Sequence, residues 1–153
     1  MATWTESART RQARAGTAPG QTVLFVDDEP SLRACMSAAL TLAGYRVIQA
    51  RDGREAVRVL LSQHIDLLVT DLIMPEQEGI ETILFVRKNF LSLNVIVISG
   101  GDPVLLGAAR KLGARAALCK PFSACELVAA VDSICSPAGS GMPGADEDWS
   151  RQG

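Results

Sequence analysis

The sequence predicts an α/β fold: a parallel sheet of five strands, covered by helices on both faces in three layers. Two observations predict it. Apolar runs of strand length alternate five times with segments whose apolar residues recur at helical spacing. Four of the strand-like runs also give way to an acid, a serine or a lysine at their carboxyl ends, where open α/β sheets build their sites.

The elements follow in order. Residues 22–26 (TVLFV) form a short apolar run ending at acids. Residues 30–43 carry Leu32, Cys35, Met36, Ala39, Leu40 and Ala43 on one helical face. Pro30 suits the first turn of that helix and Gly44 its stop. Residues 46–50 (RVIQA) read as a second strand, and 53–63 as a helix bearing Ala56, Val57, Val59, Leu60 and Leu61. Residues 66–70 (DLLVT) make a third strand, again ending at an acid, Asp71. Residues 77–90 form a helix with Ile80, Ile83, Leu84 and Val86, and 94–98 (NVIVI) are the clearest strand. A fourth helix spans 103–112, with Asp102 as cap and Pro103 in its first turn. A weaker strand, 115–119 (RAALC), precedes a helix over 123–135, where Ser123 and Glu126 have the spacing of a capping box. The crossovers between successive strands are expected to be right-handed.

Bulk properties narrow the function classes. At 153 residues and 48% apolar, the chain suits one domain with a real core. A net charge of -2 gives no electrostatic footprint for nucleic acid. Charge is uneven, with +2 over residues 1–21 and -2 over 137–153. Both stretches lack periodicity, and the second (PAGSGMPGADEDWSRQG) is full of Gly and Pro, so 1–21 and 137–153 are expected to be disordered tails around a domain at 22–136. Trp4 and Trp149 fall in these tails and read as exposed aromatics. Residues 1–21, rich in Ser, Thr and Arg, faintly resemble an organelle transit peptide, but Gly16, Pro19 and Gly20 favour a plain tail. There is no secretory apolar segment and no run long enough to span a membrane, so a cytoplasmic location is expected. Cys35, Cys119, Cys125 and Cys135 have no C-x-x-C pairing and no nearby histidine, so they read as reduced thiols in the core. His64, the only histidine, sits at a helix end without a metal-ligand partner and reads as a surface residue.

The strand ends carry the chemistry. The first offers Asp27, Asp28 and Glu29, the third Asp71, the fourth Ser99, and the fifth runs into Lys120. Carboxylates crowded on one rim repel unless a cation neutralises them, and oxygen ligands favour a hard ion such as Mg²⁺. Mg²⁺, an ammonium and a hydroxyl are what a phosphoryl group in flight needs around its oxygens, and a carboxylate can be its nucleophile. Taken singly, each residue has a plain alternative. Asp27 and Asp28 could cap a helix, Asp71 could start a turn before Met74 and Pro75, and Lys120 could be a surface lysine.

Together, VDDEP (26–30), DLIMP with Gly79 (71–79), VISG (97–100) and Lys120-Pro121-Phe122 resemble the response-regulator receiver domain of two-component signalling, in order and spacing over residues 22–136. The resemblance implies a flavodoxin-like (βα)5 sandwich with strand order 2-1-3-4-5. It implies that Asp71 is the phosphoacceptor, Asp28 a direct Mg²⁺ ligand, and Asp27 the holder of a metal-bound water. The backbone carbonyl of Ile73 would be a further ligand. Lys120 would pair with phosphoryl oxygens, Ser99 would bond one of them, and the bond before Pro121 would be cis. The implied donor is a sensor histidine kinase or histidine phosphotransfer protein. The output would be a contact with an unknown downstream protein, from a monomer or weak dimer. Such a domain signals, and promotes only its own phosphorylation and dephosphorylation.

The chain departs from the family pattern at Ala117, where receivers commonly carry Tyr or Phe. The usual aromatic relay cannot operate there, which throws the output onto the Ser99-Gly100-Gly101-Asp102 loop. Ile73 and Gly101, which flank the site, offer no side chain to position an attacking water, so slow autodephosphorylation is expected. Residues 137–153 are too short for a helix-turn-helix, which points to output by protein contact. Three other readings compete. An interaction-only receiver conflicts with the complete acidic set. An aspartyl-nucleophile phosphatase of the haloacid-dehalogenase type would need an acid two residues after the nucleophile; Ile73 follows Asp71 there, and Glu29 follows Asp27 but without the expected threonine-containing motif. A flavin-binding module would need a phosphate loop after the first strand.

Overall fold

A computed structural model describes residues 20–74 and 78–135. Expectations for residues 1–19 and 136–153, including Trp4 and Trp149, and for Pro75 lie outside these residues; Gln21, placed in the N-terminal tail by the sequence, instead accepts from the Arg46 N–H at 2.9 Å. The elements run β1 (Thr22–Val26), α1 (Pro30–Leu42), β2 (Arg46–Ala50), α2 (Gly53–Ser62), β3 (Leu67–Asp71), α3 (Glu78–Asn89), β4 (Asn94–Ser99), α4 (Pro103–Lys111), β5 (Ala116–Cys119) and α5 (Ala124–Cys135). All four pairings are parallel, in the order β2-β1-β3-β4-β5.

Successive side chains on each strand alternate between two cores. Val23 and Phe25, Leu67 and Val69, and Ile96 and Ile98 meet α1 and α5 through Met36, Leu40, Leu127 and Val131. Leu24 and Val26, Leu68, and Val95 and Val97 meet α2, α3 and α4 through Ala56, Leu60, Ile83, Val86, Leu106 and Ala109. Each fully buried Leu, Ile or Phe contributes about 1.5–3 kcal/mol relative to exposure.

The helix ends follow from local chemistry. Glu29 caps α1 by accepting from the Leu32 N–H, with Pro30 in the first turn, and Gly44 follows at a φ of +108°. Asp52 caps α2 and Asp102 caps α4. The Ser123–Glu126 capping box forms in both directions, with Glu126 N–H donating to Ser123 Oγ at 3.1 Å and Ser123 N–H to Glu126 Oε1 at 3.4 Å.

Two expectations fail at the level of single faces. The thiols are not all in the core: Cys35 and Cys125 are exposed, Cys119 is half-buried, and half-buried Cys135 packs against the core. Cys35 lies about 100° around α1 from Met36, beside the stripe the sheet covers. For the same reason Leu61 and Leu84, the neighbours of buried Leu60 and Ile83, are 69% and 50% exposed.

Candidate functional site

The carboxyl ends of β1, β3, β4 and β5 meet on one rim. Backbone hydrogen bonds fix each of them to a neighbouring strand. Asp27 N–H donates to Ala50 O at 3.2 Å, Leu72 N–H to Ile98 O at 2.9 Å, and Lys120 N–H to Ser99 O at 2.8 Å. The third and fourth strands extend one residue beyond the expected ends. Asp71 pairs with Ile98 and Ser99 with Cys119, so both site residues sit on the sheet ladder rather than in loops.

Asp27 is fully buried and Asp71 is 3% exposed, which for two carboxylates demands compensation. Lys120 supplies part of it. Its Nζ lies 2.8 Å from Asp71 Oδ2 and 3.3 Å from Asp27 Oδ2. Burial pushes the Lys120 pKa down. The hydrogen bond and charge of Asp71, with the charge of Asp27 behind them, outweigh that and leave it raised above the ordinary lysine value. The other carboxylate oxygens turn to their own loops. Asp27 Oδ1 accepts from the Glu29 N–H, and Asp71 Oδ1 from the Ile73 N–H, each at 2.9 Å.

Asp28 is exposed, yet one oxygen each of Asp27, Asp28 and Asp71 lie within 4.8 Å of one another. Asp27 Oδ2 is buried and, although an ion-pair neighbour of Lys120, has no hydrogen-bond partner. Three hard oxygen donors, one of them unsatisfied, fit Mg²⁺. Ser99 is fully buried, and its Oγ accepts from the Gly101 N–H at 3.0 Å, so the hydroxyl is engaged with its own loop. The peptide bond between Lys120 and Pro121 is cis, as the resemblance implied. The Ile73 side chain is 55% exposed at the rim.

Sequence reasoning did not reach three contacts. Glu29, rather than Asp27 or Asp28, caps α1. A Cβ at Gly79 would stand 2.5 Å from Asp71 O and 2.6 Å from Leu72 O, so only glycine lets α3 approach the end of β3 this closely. Arg33, on the first turns of α1, donates from Nη1 to the Asp27 carbonyl at 2.7 Å. Only the glycine left a mark in the sequence, as part of the 71–79 motif. Among the described residues no other histidine, cysteine or carboxylate group gathers to hold a metal. His64 is exposed and pairs with Asp66 at 3.0 Å, remote from the rim. No described helix is long and apolar enough to cross a membrane.

Comparison with known proteins places this geometry. A family model for the response regulator receiver domain matches residues 23–132. The chain is 34% identical over 116 residues to the probable chemotaxis protein CheY of Rhizobium etli, covering 73% of this chain and 90% of that protein. It is 35% identical over 112 residues to the transcriptional regulatory protein CpxR of Escherichia coli, covering 73% of this chain and 48% of CpxR. A 30% match to the phosphate regulon regulator PhoB of Pseudomonas aeruginosa covers 80% of this chain and 55% of PhoB. The chain thus spans about half the length of these transcriptional regulators. The solved structure of CheY4 of Vibrio cholerae superposes with a TM-score of 0.71 at 30% identity, covering 75% of this chain and 98% of that one. The response regulator TrrA of Thermotoga maritima, solved in complex with Mg²⁺ and beryllofluoride, superposes at 0.68 with 27% identity, covering 74% and 98%.

Proposed function

The chain belongs to the response regulator receiver domain family, and from that premise we propose that it accepts a phosphoryl group on Asp71. The donor is a sensor histidine kinase or histidine phosphotransfer protein, the reaction depends on Mg²⁺, and the signal leaves through protein contacts. The observation that carries this reading is the Lys120 ammonium shared between Asp71 and Asp27, with Asp28 in reach of both carboxylates. The working unit is residues 22–136, flanked by tails at 1–21 and 137–153.

Each residue has a task. A carboxylate oxygen of Asp71 attacks phosphorus; the new P–O bond forms as the P–N bond of the donor phosphohistidine breaks, and the departing imidazole takes up a proton. Asp28, Asp71 and the Ile73 carbonyl would hold Mg²⁺, with Asp27 holding it through a bound water, and the ion when bound would screen the negative charge that otherwise keeps a phosphoryl group away. Lys120 leaves Asp71 for a phosphoryl oxygen. Ser99 exchanges its bond from Gly101 for another phosphoryl oxygen and draws the 99–102 loop inward. With Ile73 and Gly101 beside the site, nothing orients a hydrolytic water, and the acyl phosphate is long-lived. A groove of about 490 Å³ lined by Glu29, Leu32, Lys120, Pro121 and Phe122 opens beside the lysine and suits the approach of a donor.

Intact mass after incubation with acetyl phosphate and Mg²⁺ tests the reading. Wild type gains one phosphoryl group, while Asp71→Asn and a sample held in chelator gain none. Wild type that stays unmodified with acetyl phosphate and with several histidine kinases would favour an interaction-only receiver.

A further inference from the structure

We infer that Arg33 is a positioning residue for the metal site, acting through the Asp27 carbonyl; the inference rests on the Mg²⁺-dependent reading above. Asp27 is held on every side. Its N–H reaches Ala50 on β2, its Oδ1 takes the Glu29 N–H, and its Oδ2 faces Lys120. Its carbonyl takes the Arg33 guanidinium at 2.7 Å. Of the side chains involved, Arg33 alone stands outside the acidic site.

The consequence runs through the peptide plane. The carbonyl of Asp27 and the nitrogen of Asp28 belong to one planar unit, so fixing one fixes the other. Asp28 is exposed and follows buried Asp27 just past the end of β1, so its direction of departure depends on that plane. Arg33 is itself set by the helix. Its N–H bonds Glu29 O at 3.0 Å in the first α-helical turn, and Glu29 caps that turn. The half-buried guanidinium therefore ties the rigid start of α1 to the peptide between two of the three carboxylates. Without it, a buried carbonyl loses its partner and the Asp27–Asp28 plane is free to rotate.

Electrostatics makes the effect distinguishable. Removing a positive charge beside an acidic cluster should tighten cation binding by Coulomb's law alone. Loss of positioning acts in the opposite sense. Outer contacts of metal ligands typically change affinity by about 10- to 100-fold.

The test is calorimetric Mg²⁺ titration of the full chain, with urea midpoints as a fold control and phosphorylation rates measured against Mg²⁺ concentration. Arg33→Met is expected to bind Mg²⁺ at least about tenfold more weakly, with the rate recovering as Mg²⁺ saturates. Arg33→Lys, whose ammonium can still donate to the carbonyl, is expected to recover part of the affinity. Unchanged or tighter binding in Arg33→Met would overturn the inference and leave Arg33 a purely structural contact. Should Arg33→Met fail to fold, Arg33→Gln, uncharged and shorter than arginine, decides: weaker binding at an unchanged midpoint supports positioning, and unchanged or tighter binding refutes it. Wild type that binds no Mg²⁺ would overturn this inference together with the Mg²⁺-dependent reading beneath it.

Discussion

Lys120, just past the end of β5, and Ala117, within it, stand three residues apart, and their surroundings differ sharply. Around Lys120 each strand end carries a group tied to its neighbours: Asp71 through its ammonium, Ser99 through a backbone bond, Asp27 through four separate partners. Ala117 belongs to the apolar core. The side chain is 4% exposed, joins the core that α4 closes with Leu106 and Ala109, and has no rotamer to switch. The polar rim and the apolar face around Ala117 are therefore built on different terms. The rim holds a charge array, while Ala117 itself offers only a methyl group. On the proposed reading the two would be linked by the loop between Ser99 and Asp102, where Gly101 sits at a φ of +98° and a Cβ would stand 3.4 Å from Cys119 Sγ.

The largest effect that would break this contrast lies in that loop. Loading the site with beryllofluoride and Mg²⁺ should change amide exchange many-fold across residues 99–112 and little in α1 or α2. Exchange that is uniform or unchanged would mean the signal leaves by another route. Ala117→Tyr probes the face directly. A ring forced into the core under α4 should lower stability by about 1–3 kcal/mol, read as a urea midpoint. If the variant is as stable as wild type, the face already has space for an aromatic, and the contrast is weaker than drawn. The smallest effect concerns the rim. Asp28→Asn removes one of three mutually repelling carboxylates, so without metal it should gain about 0.5–1 kcal/mol while losing the stabilisation that added Mg²⁺ gives wild type. A loss of stability in that variant would mean the three carboxylates do not strain one another.

The fold was legible because its signals are local and redundant. Pro30 and Gly44 bracket α1, Asp102 and Pro103 open α4, Ser123 and Glu126 box the start of α5, and five apolar runs recur between them. Boundaries moved by a residue where the ladder, not propensity, sets the end, as at Asp71 and Ser99. Helix faces are less legible. Leu61, Leu84 and Cys35 are apolar in type, but which 100° of a helix meets the sheet depends on how the helix is laid down.

The sequence by itself determined the order of strands and helices and the identities of Asp27, Asp28, Asp71, Ser99 and Lys120. Each follows an apolar run, and parallel strands bring such ends to one rim. Tertiary structure alone decided what those groups touch. Lys120 is 49 residues from Asp71 in sequence and 2.8 Å from it in space. The unsatisfied Asp27 Oδ2, the closeness of α3 that only Gly79 permits, and the hold of Arg33 on the Asp27 peptide all arise the same way. They depend on the distance and angle at which one packed element meets another, and no spacing along the chain encodes those.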